Sequence, residues 1–199
     1  MPTPDPVPMS IQQYVLRSVY GAWRFALMDK TALGWFDLTA AGFWRSFGAA
    51  LIVAPFYFLV TLAPAGDSTM EQSAAIGLSA SLLIYVTTWV AFPLLMAFIA
   101  RMLSLSHSYG SFIIVHNWSQ VVIILALLPL NLAGLMGLGE QGVAMAGFLV
   151  ATGILVYKWF VARTALQTTA FTAVGVVMVD LLVARLVLGL VQVSLMAGA

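Results

Sequence analysis

The sequence predicts an all-α fold, an integral membrane helical bundle of five transmembrane helices preceded by an interfacial amphipathic helix. Three observations predict it. Of 199 residues, 62% are hydrophobic and 8% are charged, whereas an average soluble domain is about a quarter charged. Five segments, near 43 to 64, 74 to 99, 111 to 136, 142 to 163 and 170 to 196, reach the length of about 20 predominantly apolar residues that crosses a hydrocarbon core. Lys and Arg, finally, collect at every second junction between those segments.

Residues 1 to 9 read as a disordered proline-rich tail, because MPTPDPVPMS has neither the basic start nor the apolar run of a cleavable signal. Insertion is expected to rest on the internal segments. Residues 10 to 40 form the interfacial region. Ser10 and Gln13 stand at capping-box spacing, followed by Ile11, Val15, Val19, Ala22, Trp23 and Ala26 on one expected apolar face and Gln13, Arg17 and Arg24 opposite. Arg17, Arg24 and Trp23 are the candidate membrane-surface residues, since a basic face beside an aromatic one suits an anionic bilayer surface. Packing of the same helix on the bundle is the competing reading. Trp35, Phe36, Phe43 and Trp44, with Asp37 and Thr39 as caps, place the entry into the bilayer here, because aromatics gather at headgroup level.

The transmembrane domain is expected over 41 to 199. PAGDSTMEQS and GLMGLGEQG supply turn residues between spans one and two and spans three and four. Arg17, Arg24, Lys30 and Arg45 precede the first span, Arg101 follows the second and Arg163 the fourth, while Asp67, Glu71 and Glu140 mark the other side. Cytoplasmic flanks carry the basic excess, so the N-terminus is expected in the cytoplasm and the C-terminus outside. The third segment is the weakest of the five as a span, because it opens with His116, Asn117, Ser119 and Gln120 and Pro129 interrupts it; the alternation of basic residues retains it.

Polar side chains within the bilayer are costly unless paired, which makes them the first functional candidates. Asp180 lies about 15 Å into the fifth segment and Gln120 about 13 Å into the third at 1.5 Å per residue. His116 and Gln120 share a helix face, and Lys158 enters from the fourth segment. Asp180, His116, Asn117, Gln120 and Lys158 are therefore expected to form one polar cluster in the cytoplasmic half, either lining a pathway or joining helices by hydrogen bonds. Arg185 is a poor intrahelical partner for Asp180 and is expected to reach the outer interface, toward Glu140. Pro55, Pro93 and Pro129 interrupt three segments, and Thr87 and Thr88 are expected to satisfy carbonyls freed near Pro93. Gly142, Ala146, Gly147 and Ala151 are spaced for close helix packing, with a homodimer face as the alternative.

No catalytic signature is present. HExxH, GxSxG and GxxxxGK[ST] are missing from the sequence, and GLGEQG has no lysine. One deep carboxylate gives no acid–base pair. His107 and His116 are too few for a metal site without other ligands, and the chain has no cysteine. A net charge of +1 with scattered basic residues argues against nucleic acid as a partner. No cofactor is expected; the partners are the lipid bilayer and other membrane proteins.

From about residue 42 onward the chain resembles the Yip1-like superfamily of five-span membrane proteins in its bacterial form. The resemblance rests on the FWRSF entry, the polar start SHSYGSFIIVHNWSQ of the third span and the ALQTTAFTAVG connection into the last. It implies a non-enzymatic protein, located in a bacterial inner membrane, that organises or binds other membrane components. The short tail lacks the Tyr-Gly-Pro type signature of eukaryotic members, so no binding residues are carried over. The alternative is a small transporter or channel using the polar cluster.

Overall fold

A computed structural model describes residues 9–61, 70–135 and 140–197. Within them the chain is helical throughout and contains no strand. Helix α1 spans Ile11–Ala26, a 3-10 turn Lys30–Trp35, α2 Ala40–Ser46, α3 Ala49–Thr61, α4 Met70–Met102, α5 Ser106–Leu135, α6 Glu140–Ala165 and α7 Ala170–Ala197. Five stretches are long and apolar enough to cross a membrane: Ala40–Leu59, Gly77–Met102, Ser106–Ala133, Gln141–Ala165 and Ala170–Val191. Only 11% of the apolar window in Gln141–Ala165 is buried inside the protein. Phe148 and Phe171 are 72% and 88% exposed, part of an outward apolar face that suits a lipid solvent. The chain is a polytopic membrane protein. The proline-rich tail falls almost wholly outside the described residues, as do Asp67 and the two-glycine stretch before Glu140.

The first span is broken. A single helix over 43 to 64 is expected from composition, but α2 ends at Ser46 and α3 starts at Ala49. Gly48, Ala50 and Leu51 donate to carbonyls three residues back through the break, the tighter spacing of a 3-10 turn. Thr39 caps α2, its hydroxyl accepting from Gly42 N–H at 3.1 Å. At Gly42 a Cβ would stand 1.9 Å from the Asp37 carbonyl oxygen, so only glycine fits this corner.

Helix α5 is the hub, and this accounts for its polar start. Phe112, Ile113, Ile114 and Val115 are all buried, which a helix achieves only when neighbours surround it. On one side Asn117 Nδ2 donates to Ser46 Oγ of α2 at 2.9 Å. On others Ser108 Oγ donates to the Leu166 carbonyl at 2.9 Å, and Tyr109 Oη to the Pro93 carbonyl at 3.0 Å. The span that opens with His116, Asn117, Ser119 and Gln120 is the one most buried inside the protein, with half of its apolar window covered.

Helix α1 lies across the bundle. Its Tyr14 hydroxyl accepts from Trp118 Nε1 of α5 at 3.3 Å and donates to the Gly42 carbonyl at 3.1 Å. Two turns later its Ala22 carbonyl accepts from Tyr157 Oη of α6 at 3.0 Å. Eight residues cover about 12 Å, close to the distance between two packed helix axes of about 8–10 Å. The capping box of Ser10 and Gln13 is present. The expected apolar face is rotated, however: Ile11 and Trp23 are 80% and 54% exposed, while Tyr14, Ser18, Gly21, Ala22 and Phe25 form the buried stripe. Tyr14 and Ser18 lie in this stripe although each carries a hydroxyl; that of Tyr14 is satisfied from both sides. The outward stripe is Leu16, Tyr20, Trp23 and Leu27, at helical spacing.

Three helices stop in the same way. Met28, Ser104 and Gln167 have φ of 59°, 58° and 52°. Asp29, Leu105 and Thr168 N–H donate back to the Arg24, Ala100 and Arg163 carbonyls, and the inner bonds run Met28 to Phe25, Ser104 to Arg101 and Gln167 to Thr164. These are Schellman ends. Arg24, Arg101 and Arg163 sit in the three last turns, where the helix dipole favours a cation.

Candidate functional site

Helices α3 to α7 line a partly open cavity of about 410 Å³. All five members of the expected polar cluster, Asp180, His116, Asn117, Gln120 and Lys158, line it. Lys158 comes from α6 and Asp180 from α7, and Nζ lies 2.6 Å from Oδ2. Their side chains are 19% and 12% exposed, so each charge is held mainly by the other. His116 and Gln120 stand one turn apart on α5 with Nε2 to Nε2 at 3.1 Å. Asn117 is 1% exposed and spends its amide on Ser46. It borders the cavity, yet its hydrogen bond serves the break in the first span.

The remaining wall is aromatic and aliphatic. Tyr57 of α3 meets Tyr85 of α4 at a ring distance of 4.8 Å, and Tyr85 meets Trp89 at 6.0 Å. Phe92 lies against the His116 ring with centroids 4.5 Å apart. Leu127 and Leu188 line the cavity farther along α5 and α7. Tyr85, Trp89 and Phe92 follow a helical repeat on α4, a spacing legible in the sequence but indistinguishable there from ordinary membrane-helix composition. Tyr85 Oη also donates to the Ala50 carbonyl at 2.5 Å, tying α4 to α3.

The polar layer closes the cavity toward the α4–α5 and α6–α7 turns. A void of about 10 Å³ lies among His116, Gln120, Lys158 and Asp180 together with Phe112, Val161, Ala162 and Val176, room for about one water. Phe112, Val161 and Ala162 on its wall are buried, as are Leu166 and Ala173 near the α6–α7 turn. The cavity is thus wide on one side of the layer and packed shut on the other.

The other expected residues lie elsewhere. Arg17 is exposed, its Nη2 donating to the Gly34 carbonyl at 3.4 Å and its guanidinium 6.0 Å from the Trp35 ring centre. Arg24 pairs with Asp29 and donates to Tyr20 Oη. Trp23 faces outward. Arg185 is exposed on α7, while the side chain of Glu140, its expected partner, is outside the described residues. Thr88 Oγ1 donates to the Ile84 carbonyl at 2.8 Å, not to the Trp89 carbonyl that Pro93 deprives of its helical donor. The expected rescue at Pro93 is corrected for Thr88: i−4 back-bonding is geometrically nearest for a helical threonine. In comparisons with known proteins, the chain matches no family model, no curated protein and no solved structure.

Proposed function

We propose that this is a non-enzymatic membrane protein of Yip1-like type that binds another component of the membrane, and that the cavity is where it does so. One observation carries the reading. Polar side chains from three helices converge on one end of an otherwise apolar, aromatic-walled cavity of about 410 Å³, within the range of about 300–1,000 Å³ of small-molecule sites. Among the described residues the one carboxylate lining it, Asp180, is engaged by Lys158, which favours binding over acid–base chemistry. The basic last turns at Arg101 and Arg163 support a cytoplasmic location for that end, with the N-terminus inside. The outward Leu16, Tyr20, Trp23 and Leu27 stripe, flanked by Arg17 and Arg24, is suited to the inner leaflet surface.

The experiment is extraction in mild detergent followed by mass spectrometry of what co-purifies. Wild-type protein should carry a bound membrane component, and Ala184→Phe, which fills the cavity from α7, should lose it while remaining monodisperse. Equal recovery from both proteins would contradict the reading.

A second reading, transport, is favoured by the single polar layer standing between the wide cavity and the packed side. On that reading Asp180→Asn abolishes flux in reconstituted vesicles.

A further inference from the structure

We propose that the cavity selects an uncharged amphiphile whose head both donates and accepts hydrogen bonds, of which an aliphatic alcohol is the simplest case. The inference rests on the cavity being the binding site.

The argument begins with charge. Lys158 and Asp180 are the charged side chains on the cavity wall, and at 2.6 Å they cancel. A ligand that arrived with a net charge would stand uncompensated in a low-dielectric interior, or would have to break the pair and strand one of its members. An uncharged head incurs neither cost. Hydrogen-bonding capacity is nevertheless available beside the pair. The Gln120 contact to His116 is made through the amide nitrogen, so the amide oxygen is spare as an acceptor. Lys158 gives one of its three ammonium hydrogens to Asp180, leaving donors. A hydroxyl answers both.

The body of the ligand follows from the rest of the wall. From Asp180 to Leu188 the cavity runs along α7 for about 12 Å at 1.5 Å per residue, and from Gln120 to Leu127 along α5 for about 10 Å on the same rise. Along that length Tyr85, Trp89, Leu127 and Leu188 present mostly carbon. Head and tail are thus segregated as in an amphiphile, and a molecule buried between membrane helices is taken from the lipid phase.

The test uses the full chain in lipid nanodiscs and three terminally brominated medium-chain probes of equal length, an alcohol, a carboxylate and a primary amine. Bromine quenches tryptophan at short range, and Trp89 on the wall is the reporter, with Trp89→Phe as the blank. The alcohol should quench saturably at a concentration at least about tenfold below either charged probe. Its effect should follow its mole fraction in the bilayer. Asp180→Asn leaves Lys158 alone and should turn the preference toward the carboxylate. Lys158→Gln with Asp180→Asn restores neutrality and should restore the alcohol. A charged probe binding wild type as well as the alcohol does would overturn the inference and leave the cavity as a binding site. Quenching set by aqueous concentration alone would overturn the lipid-phase source. Saturable quenching by none of the three would sink the inference; the co-purification comparison then decides separately whether the cavity binds anything.

Discussion

Lys158 and Asp180 stabilise the bundle only as a pair. Removing one partner of a buried ion pair costs about 3–5 kcal/mol because the other charge is stranded, whereas replacing both with apolar groups is often neutral. Lys158→Met alone is therefore expected to lower unfolding stability in detergent by an amount of that order, less whatever protonation of Asp180 recovers. Lys158→Met with Asp180→Leu should lie closer to wild type. A second residue-scale prediction concerns Asp29, outside the spans. Its carboxyl is held below the ordinary 3.8, first by the Thr31 hydroxyl, then by the Thr31 N–H and by Arg24. A depressed folded-state value means that the stabilisation is present above 3.8 and lost as pH falls through and below it. Protection of the Thr31 amide, measured as its hydrogen-exchange rate relative to the intrinsic rate at each pH, should fall on acidification across that window, and Asp29→Asn should show the low protection already at neutral pH. Both side chains were legible in the sequence to different degrees. Asp180 stood out as a buried charge, but that its partner was Lys158 depended on the rotation of two helices, which hydropathy does not report.

At the scale of the element, the Schellman ends offer the sharpest expectation. Gln167 holds a left-handed backbone at φ 52° with an L side chain, a conformation that costs about 1–2 kcal/mol per non-glycine residue. Gln167→Gly should raise stability by about 0.5–1 kcal/mol after the greater freedom of the unfolded chain is deducted. Thermal unfolding checks it, and Thr164→Gly inside α6 should show the opposite sign. None of these ends was visible in the sequence, where glycine is the usual marker and Met28, Ser104 and Gln167 give no signal. The broken first span escaped for a related reason. FWRSFG is apolar enough to read as continuous helix, and the break is held by Asn117 from a segment 71 residues away. The cap at Ser10, by contrast, is a local device and was fully legible.

For the whole molecule, composition was enough to give the class and number of the crossings, because lipid removes every alternative to a helix for an isolated apolar stretch. It gave no arrangement. That α5 is central follows from which polar groups find partners, and that α1 lies crosswise follows from Tyr14 and Ala22 reaching two different helices. The site followed the same division: five polar residues were picked out by their cost in lipid, while the aromatic wall that makes their meeting place a cavity looked like ordinary membrane-helix composition. The account stands on five crossings with the 103–105 and 166–169 turns at one face. The chain has no cysteine, so Ser104→Cys and Gln167→Cys each introduce a single thiol. Labelling of right-side-out vesicles with a membrane-impermeant maleimide, before and after permeabilisation, should give the two positions the same sidedness. Labelling from opposite faces would contradict the account.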